Sequence, residues 1–383
     1  MKIQKICFLA GEYPTLESPK SAVFYQNLVH EFARMGIECK VIHPRPINYE
    51  KGNVERERKV LIDGNHSVTI YRPNTLTFGA KQIGFWNTAY ISACFYTYSA
   101  KSLLNDIGWK PDLFYGHFIS PAGIMAAKLS KASGIPAVIA YGESRPWSIN
   151  TIGLRKSQKI LSSADGFIAV STKNKKDLID LKIAEEAKIK VFPNGINSQV
   201  FYKHNKDDAR KKMGWDTDKF IVAFVGHFNE RKGVLRLDKA VSDIPDVYAA
   251  YAGSGDLLPK APNTIYAGDV APELMPWFLS AADIFVLPTL NEGCCNAIIE
   301  ALACGLPVIS SDSEFNYDVL SGDNAILIDP QNINQIRDAI IKLKTDFELR
   351  NSLAGRSIEA SRQLDIHERA HNILNFMESV CSE

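Results

Sequence analysis

Short apolar, β-branched runs recur along the chain, separated by stretches in which apolar positions have helical spacing. In the first half they are Ile3–Ala10, Cys39–Pro44, Val68–Pro73, Leu113–Gly116, Ala137–Tyr141, Gly166–Val170 and Ile189–Phe192. In the second half they are Phe220–Val225, Val247–Ala252, Thr264–Ala267, Ile284–Pro288, Pro307–Ser310 and Ala325–Ile328. Continuous apolar strands alternating with helices predict parallel sheets covered on both faces. Two such series predict an α/β protein of two Rossmann-like, doubly wound domains with a shared cleft. The polar, turn-rich stretch from Pro193-Asn194-Gly195 to Trp215-Asp216 separates the series. The domains are therefore read as 1–198 and 199–365. Ile366, Ile373, Leu374, Met377 and Val380 predict a last helix over 366–383.

Composition narrows the class. Of 383 residues, 46% are hydrophobic and 23% charged, enough for two cores and unlike a disordered chain or a disulfide scaffold. With 44 Lys+Arg against 43 Asp+Glu, no nucleic-acid partner is expected. The balance hides an asymmetry: residues 1–195 hold 26 basic against 16 acidic side chains, and the remainder 18 against 27. Either the halves face different partners, one of them anionic, or the excess lysines are scattered and solvated. The seven cysteines are odd in number and form no C-x-x-C pair, which fits free thiols in a reducing compartment. The opening run is too short for a signal peptide and no run of 18 apolar residues exists, so a cytoplasmic protein is expected.

Residues 78–104 concentrate aromatics at Phe85, Trp86, Tyr90, Phe95, Tyr96 and Tyr98 on a predicted helix. That helix is either packed into the N-terminal domain or laid against a lipid interface or apolar acceptor. The basic first half would favour an anionic membrane as a peripheral contact.

Candidate chemistry lies in loops that follow strands. In PTLNEGCCNAIIEALACGLPVISSD, Pro288–Asp312, a strand ends at Pro288 and a helix opens near Cys294–Asn296. Glu292 precedes the helix and Glu300 lies inside it; helical rise places the two carboxylates about 10 Å apart along the axis. One could then address a sugar and the other a ribose. The free N–H groups of Asn296, Ala297 and Ile298 would face a diphosphate between them. In FVGHFNERKG, Phe224–Gly233, a strand runs into Gly226, where a phosphate can approach closely. Arg231 and Lys232 follow, two cations that suit a diphosphate leaving group without a metal. Each stretch alone also reads as an ordinary charged surface loop.

Together these stretches resemble the retaining glycosyltransferases of family 4 (group 1), which have the GT-B fold. The resemblance is carried by VFPNGIN at 191–197, VGHFNERKG at 225–233, AGSGD at 252–256, YAGDV at 266–270 and the Glu292–Pro307 block. The N-terminal marks are GEYP, DLFYGHF and VIAYGES. The resemblance implies a C-terminal domain that binds a nucleotide-sugar and an N-terminal domain that binds the acceptor. It implies that Glu300 binds the ribose, Glu292 the donor sugar, and Lys232 with Arg231 the diphosphate. Val270 falls where the nucleobase meets the backbone. No metal and no other cofactor is expected, and the last helix should return to the N-terminal domain. The family's Gly-Arg is here Gly226-His227, so Arg231 would take over charge that an imidazole carries only part of the time near neutrality. The family's N-terminal histidine position holds Tyr141. Tyr141, Glu143 and Ser144 are therefore assigned as acceptor or sugar contacts, and His117, at the preceding strand end, as either a catalytic histidine of the cleft or a satisfied buried one.

Other signals lead elsewhere. Asp216-Thr217-Asp218 has the D-x-D form of a metal site but precedes a strand. Gly253-Ser254-Gly255 lacks the third glycine of a dinucleotide fingerprint, and Cys294-Cys295 lacks further metal ligands nearby. The expected activity is transfer of a sugar from a nucleotide diphosphate, UDP ahead of GDP, to a glycan or lipid-diphosphate-linked glycan, as in bacterial surface polysaccharide synthesis. The alternatives are a sugar-nucleotide epimerase of the same fold or a non-catalytic nucleotide-binding homologue.

Overall fold

A computed structural model describes residues 2–16, 18–19, 21–48, 55–84, 86–216 and 218–382. Phe85, Thr217 and the side chain of Trp86, all named above, lie outside the described residues. The chain forms two compact units, 1–192 with 367–383 and 193–366. The division falls at Phe192/Pro193 because the following turn bonds within the second unit. Ile196 N–H donates to the Leu364 carbonyl at 2.7 Å, and Asn194 Nδ2 donates to the Cys294 carbonyl at 3.2 Å.

The main sheet of the first unit has strands β1 (Lys5–Ala10), β2 (Glu38–Ile42), β3 (Glu57–Leu61), β4 (Ser67–Tyr71), β5 (Leu113–His117), β6 (Ala137–Tyr141), β7 (Gly166–Ala169) and β8 (Ile189–Val191). They form one sheet in the order β8-β7-β6-β5-β1-β2-β4-β3. Neighbours are parallel except β3, which runs antiparallel to β4. Around the sheet lie α1 (Val23–Arg34), α2 (Thr88–Asp106), α3 (Ile124–Ser133), α4 (Trp147–Ile152), α5 (Leu154–Leu161) and α6 (Thr172–Asp180). Strand alternation feeds two cores. On β6, Ala137, Ile139 and Tyr141 join one cluster, while Val138 and Ala140 join the other. Helix α2 buries its small residues, Ala89, Ser92, Ala93, Ser99 and Ala100, together with Tyr96. Its larger apolar residues Ile91, Phe95 and Tyr98 face outward.

The second unit has β9 (Phe220–Val225), β10 (Val247–Ala252), β11 (Thr264–Gly268), β12 (Ile284–Leu287), β13 (Val308–Ser311) and β14 (Ala325–Ile328). Its sheet is parallel throughout, in the order β11-β10-β9-β12-β13-β14. The covering helices are α7 (Lys206–Met213), α8 (Val234–Val241), α9 (Met275–Ser280), α10 (Asn296–Ala303), α11 (Ile333–Thr345) and α12 (Phe347–Arg362). Strand order reverses between β9 and β12, so a crevice opens at the carboxyl ends of these two strands. Helix α13 (Ile366–Val380) follows, and Ala370, Ile373, Phe376 and Met377 bury into a core of the first unit. There its Glu378 carboxylate accepts the Ile3 N–H at 3.1 Å.

Candidate active site

The loops after β9, β10, β11 and β12 converge at the carboxyl edge of the second sheet, and their backbones interlock. Gly226 N–H donates to the Ala252 carbonyl at 3.0 Å, Phe228 N–H to Ser254 at 2.8 Å, and Gly253 N–H to Gly268 at 2.8 Å. This close approach explains the glycines of AGSGD. A Cβ at Gly253, whose φ is +144°, would sit 2.0 Å from the Gly226 carbonyl oxygen. One at Gly255 would sit 2.5 Å from the carbonyl oxygen of Phe228. The motif holds two strand-end loops against each other and is not a dinucleotide fingerprint.

Within this frame Arg231, Lys232 and Glu292 form one cluster. Glu292 Oε1 lies 2.7 Å from Arg231 Nη1 and 2.7 Å from Lys232 Nζ, and it accepts from Thr289 Oγ1 at 2.8 Å. Arg231 Nη1 also donates to the Asn291 carbonyl at 2.8 Å. Lys232 Nζ reaches Cys295 Sγ at 3.7 Å, and its N–H donates to Asn229 Oδ1 at 3.0 Å. Lys232 and Glu292 are each only 8% exposed. Burial opposes the Glu292 charge, but Lys232 and Arg231 outweigh it and hold the carboxyl below its usual range. For Lys232 burial is likewise opposed, by Cys295 and then Glu292, and the ammonium is held above its usual range. Two cations against one carboxylate leave one excess positive charge, with the Arg231 side chain 37% exposed, and that charge can attract an anion.

Glu292 is not on the helix that follows it. Helix α10 begins at Asn296, so only half of the path from Glu292 to Glu300 has helical rise, and the axial spacing of about 10 Å expected above does not apply. Glu300 is half-buried inside α10 and its carboxylate makes no hydrogen bond or ion pair among the described residues; burial pushes it up to about 7. The N-terminus of α10 is less open than expected. Ile298 N–H already donates to the Cys295 carbonyl at 3.1 Å, which removes Ile298 from the free amides. The Ala297 N–H is engaged by the Cys295 thiol, which leaves the Asn296 amide, and Asn296 Oδ1 accepts from Asn194 Nδ2 at 2.8 Å. His227 is exposed on the β9 loop beside Gly226. Val270 is half-buried after β11, in a turn closed by Tyr266 Oη donating to the Asp269 carbonyl at 2.7 Å.

The candidates of the first unit are differently placed, and Tyr141 needs correction. Tyr141 is fully buried among core residues; burial, then Asp177 and Glu143, raise its phenol pKa. It cannot touch a ligand in this conformation, because its strand register points it into the core with Ile139. His117 is buried between aromatic rings, its ring centroid 4.2 Å from that of Tyr25 and 4.2 Å from that of Phe118. Burial, then Arg369, push it down to about 3, which favours the neutral imidazole and the buried-histidine reading. Glu143 Oε2 accepts the Ser148 N–H at 3.0 Å, and burial raises its pKa. The Ser144 carbonyl accepts from Lys173 Nζ at 2.7 Å. These two residues shape the loop after β6.

Sequence reasoning missed Thr289, Asn194 and the contact of Cys295 with Lys232. A hydroxyl three residues before Glu292 was the one available sign, since such spacing lets a side chain bond back across a turn. Asp216 lies at the amino end of β9, the opposite edge of the sheet from this cluster, and accepts the Asp218 N–H at 3.3 Å. Among the described residues, no group of three His, Cys, Asp or Glu is placed to hold a metal ion.

The strand-end crevice thus holds an Arg–Lys–Glu cluster and a half-buried carboxyl, Glu300. The profile "Glycosyl transferases group 1" matches residues 205–359, and "Glycosyltransferase Family 4" matches 21–200. The chain belongs to this group 1, family 4 class of glycosyltransferases, with the GT-B fold. It is 27% identical to the putative teichuronic acid biosynthesis glycosyltransferase TuaC of Bacillus subtilis, over 88% of each chain. It is 26% identical to the UDP-Gal:alpha-D-GlcNAc-diphosphoundecaprenol alpha-1,3-galactosyltransferase of Escherichia coli, over 62% of this chain and 67% of that one. In fold it matches sucrose-phosphate synthase of Thermosynechococcus elongatus with a TM-score of 0.78 and 18% identity, over 99% of each chain. It also matches Anabaena Alr3699/HepE in complex with UDP-glucose, with a TM-score of 0.71 and 16% identity, over 98% of this chain and 99% of that one.

Proposed function

We propose that the enzyme transfers a sugar, with retention of anomeric configuration, from a UDP-sugar to a glycan or lipid-diphosphate-linked glycan in surface polysaccharide synthesis. The observation that carries this reading is the Arg231–Lys232–Glu292 cluster at the β9/β12 switch point. An incoming diphosphate would compete with Glu292 for the two cations and use their excess charge. Released from them, the Glu292 carboxylate would be available to the hydroxyls of the donor sugar. The ribose hydroxyls would donate to Glu300, Val270 would border the base, and the Asn296 amide at α10 would face the phosphates, joined by that of Ala297 if it leaves the Cys295 thiol. Arg231 and Lys232 are assigned the charge neutralisation that other transferases leave to a metal.

In the reaction, the bond from the anomeric carbon to the diphosphate oxygen breaks as the acceptor oxygen bonds to the same face. The acceptor's proton passes to the departing diphosphate. The chain's part is positioning and electrostatic stabilisation of that leaving group. The names of the Bacillus and Escherichia coli relatives support a surface-glycan acceptor, and the latter a UDP donor. Among the described residues no helix is long and apolar enough to cross a membrane. No disulfide forms among the described residues, which fits the reducing cytoplasm that this reading assigns.

Thermal unfolding with UDP, GDP, ADP and NAD at millimolar concentration tests the donor site. A ligand at 100 times its Kd adds about 2.7 kcal/mol, enough to raise the midpoint measurably. A rise with UDP that Glu300→Ala abolishes is expected; a rise with GDP or ADP alone moves the donor to that base. A rise with NAD alone, or with none, overturns the reading. Conversion of a UDP-sugar without any acceptor would favour an epimerase instead.

A further inference from the structure

The outward face of α2 is unusual in its chemistry. Ile91, Phe95 and Tyr98 form one stripe at helical spacing, and Tyr98 is 73% exposed while the buried side of the helix is built mostly of alanine and serine. Large apolar side chains face water and small ones face the core, the reverse of an ordinary surface helix. Phe78 extends the stripe, its ring 5.7 Å from that of Phe95. A hairpin pairing Gln82–Ile83 with Trp86–Asn87 leads into the helix and exposes Ile83 at 63%. Contiguous exposed apolar surface of this kind marks a docking site.

Charge decides what docks. Between Asp63 and Asp106, between Asp112 and Glu143, and between Glu143 and Asp165 there is no Asp or Glu at all. Those segments supply α2 up to its last residue, its hairpin, α3, α4 and α5, so apart from Asp106, exposed at the end of α2, the charged side chains of these elements are cations. Lys101 lies on α2 beside the stripe, and Lys128 and Lys156 stand over the Tyr90 ring at 5.0 and 4.5 Å. Arg155 and Lys159 are exposed on α5. A protein partner would need acidic residues matched to one register, whereas a bilayer of anionic lipid matches any arrangement of apolar stripe and flanking lysines.

We propose that this face, the Ile91–Phe95–Tyr98 stripe with Ile83 and its flanking lysines, seats the first unit on an anionic lipid surface. The apolar side chains enter the headgroup boundary while Lys101 and Lys156 pair with lipid phosphates. This deepens the reading of a lipid-linked acceptor, since it brings the enzyme to the layer that holds such a molecule.

Cosedimentation of the full chain with vesicles of phosphatidylcholine, with and without 30 mol% phosphatidylglycerol, tests it. Binding is expected to the anionic vesicles and to fall steeply between 0.05 and 0.5 M salt, as screening requires. The double variant Lys101→Glu/Lys156→Glu should weaken binding at least about tenfold, because each lysine near an anionic surface contributes about 1 kcal/mol. Phe95→Ser/Tyr98→Ser should weaken it about as much. Both doubles should keep the wild-type midpoint and its nucleotide response, so failure here is distinct from failure of the transferase reading. Absence of binding at low salt, equal binding to neutral vesicles, or unchanged binding by either double overturns the proposal. So does a dimer in sedimentation velocity that Phe95→Ser/Tyr98→Ser dissolves, since the stripe would then be covered by a second copy.

Discussion

Glu292 Oε1 is shared by three donors, from Arg231, Lys232 and Thr289, with Glu292 and Lys232 buried and Arg231 partly exposed. Removing one partner of such a cluster leaves charge exposed to a poor solvent, so its members act as a unit. Lys232→Ala is expected to lower turnover about 10²–10³-fold, the effect of losing one preorganised charge on a leaving group; near wild-type nucleotide release would remove Lys232 from the diphosphate site. Thr289 acts one step back, as a positioning residue. Thr289→Val keeps the shape and removes the hydroxyl, and should lower turnover by about tenfold, with Thr289→Ser restoring it. Glu300 is the pH-sensitive member. Its folded pKa, about 7, lies above that of an unfolded glutamate, so the folded state holds the proton more tightly and stability falls as pH rises through that window. Glu300→Gln, which is neutral throughout, should melt above wild type at pH 8 and close to it at pH 4. Equal midpoints at pH 8 would mean that Glu300 ionises there without penalty.

At the scale of elements, the interlocked strand ends are the most sensitive part of the second unit. Gly253→Ala puts a methyl against the Gly226 carbonyl, a contact that only backbone movement of both loops relieves. A loss of about 1–3 kcal/mol in unfolding free energy is expected, together with loss of the nucleotide-induced rise. If Gly253→Ala melts and binds as wild type, those loops are looser than the hydrogen bonds between them imply. Each apolar run read from the sequence corresponds to a strand, because strands buried on both faces write their burial into consecutive residues. Strand β3 was missed for the converse reason: Glu57–Leu61 is mostly exposed and held by main-chain pairing to β4, so its side chains carry no apolar signal. The same limit applies to the site. Arg231, Lys232 and Glu292 were legible as charged residues in strand-end loops, but that Glu292 bonds both cations follows from how the β9 and β12 loops fold against each other. Tyr141 misled because the resemblance gave it the place of the family's N-terminal histidine, whereas it is the last residue of β6 and its parity sends it inward.

For the whole molecule, the chain crosses from one compact unit to the other and comes back. The last helix belongs to the first unit, where Ala370, Ile373, Phe376 and Met377 are buried. Burying a side chain such as Ile, Phe or Met contributes about 1.5–3 kcal/mol. Three of these plus Ala370 thus approach the entire stability of an ordinary domain, about 5–15 kcal/mol. The second unit has no such debt, since its own chain closes at Ile366 with Ile366 N–H donating to the Ile196 carbonyl at 3.0 Å. A chain ending after Ile366 should therefore lose the cooperative unfolding of the first unit and expose its sheet. The second unit should keep its fold, because each strand of its sheet and each helix on it lies within 193–366. Calorimetry of the truncated chain distinguishes the outcomes: one remaining transition, raised by UDP, is expected. Retention of two transitions would mean that α13 is dispensable to the first unit, and loss of both would mean that the second unit does not stand without it.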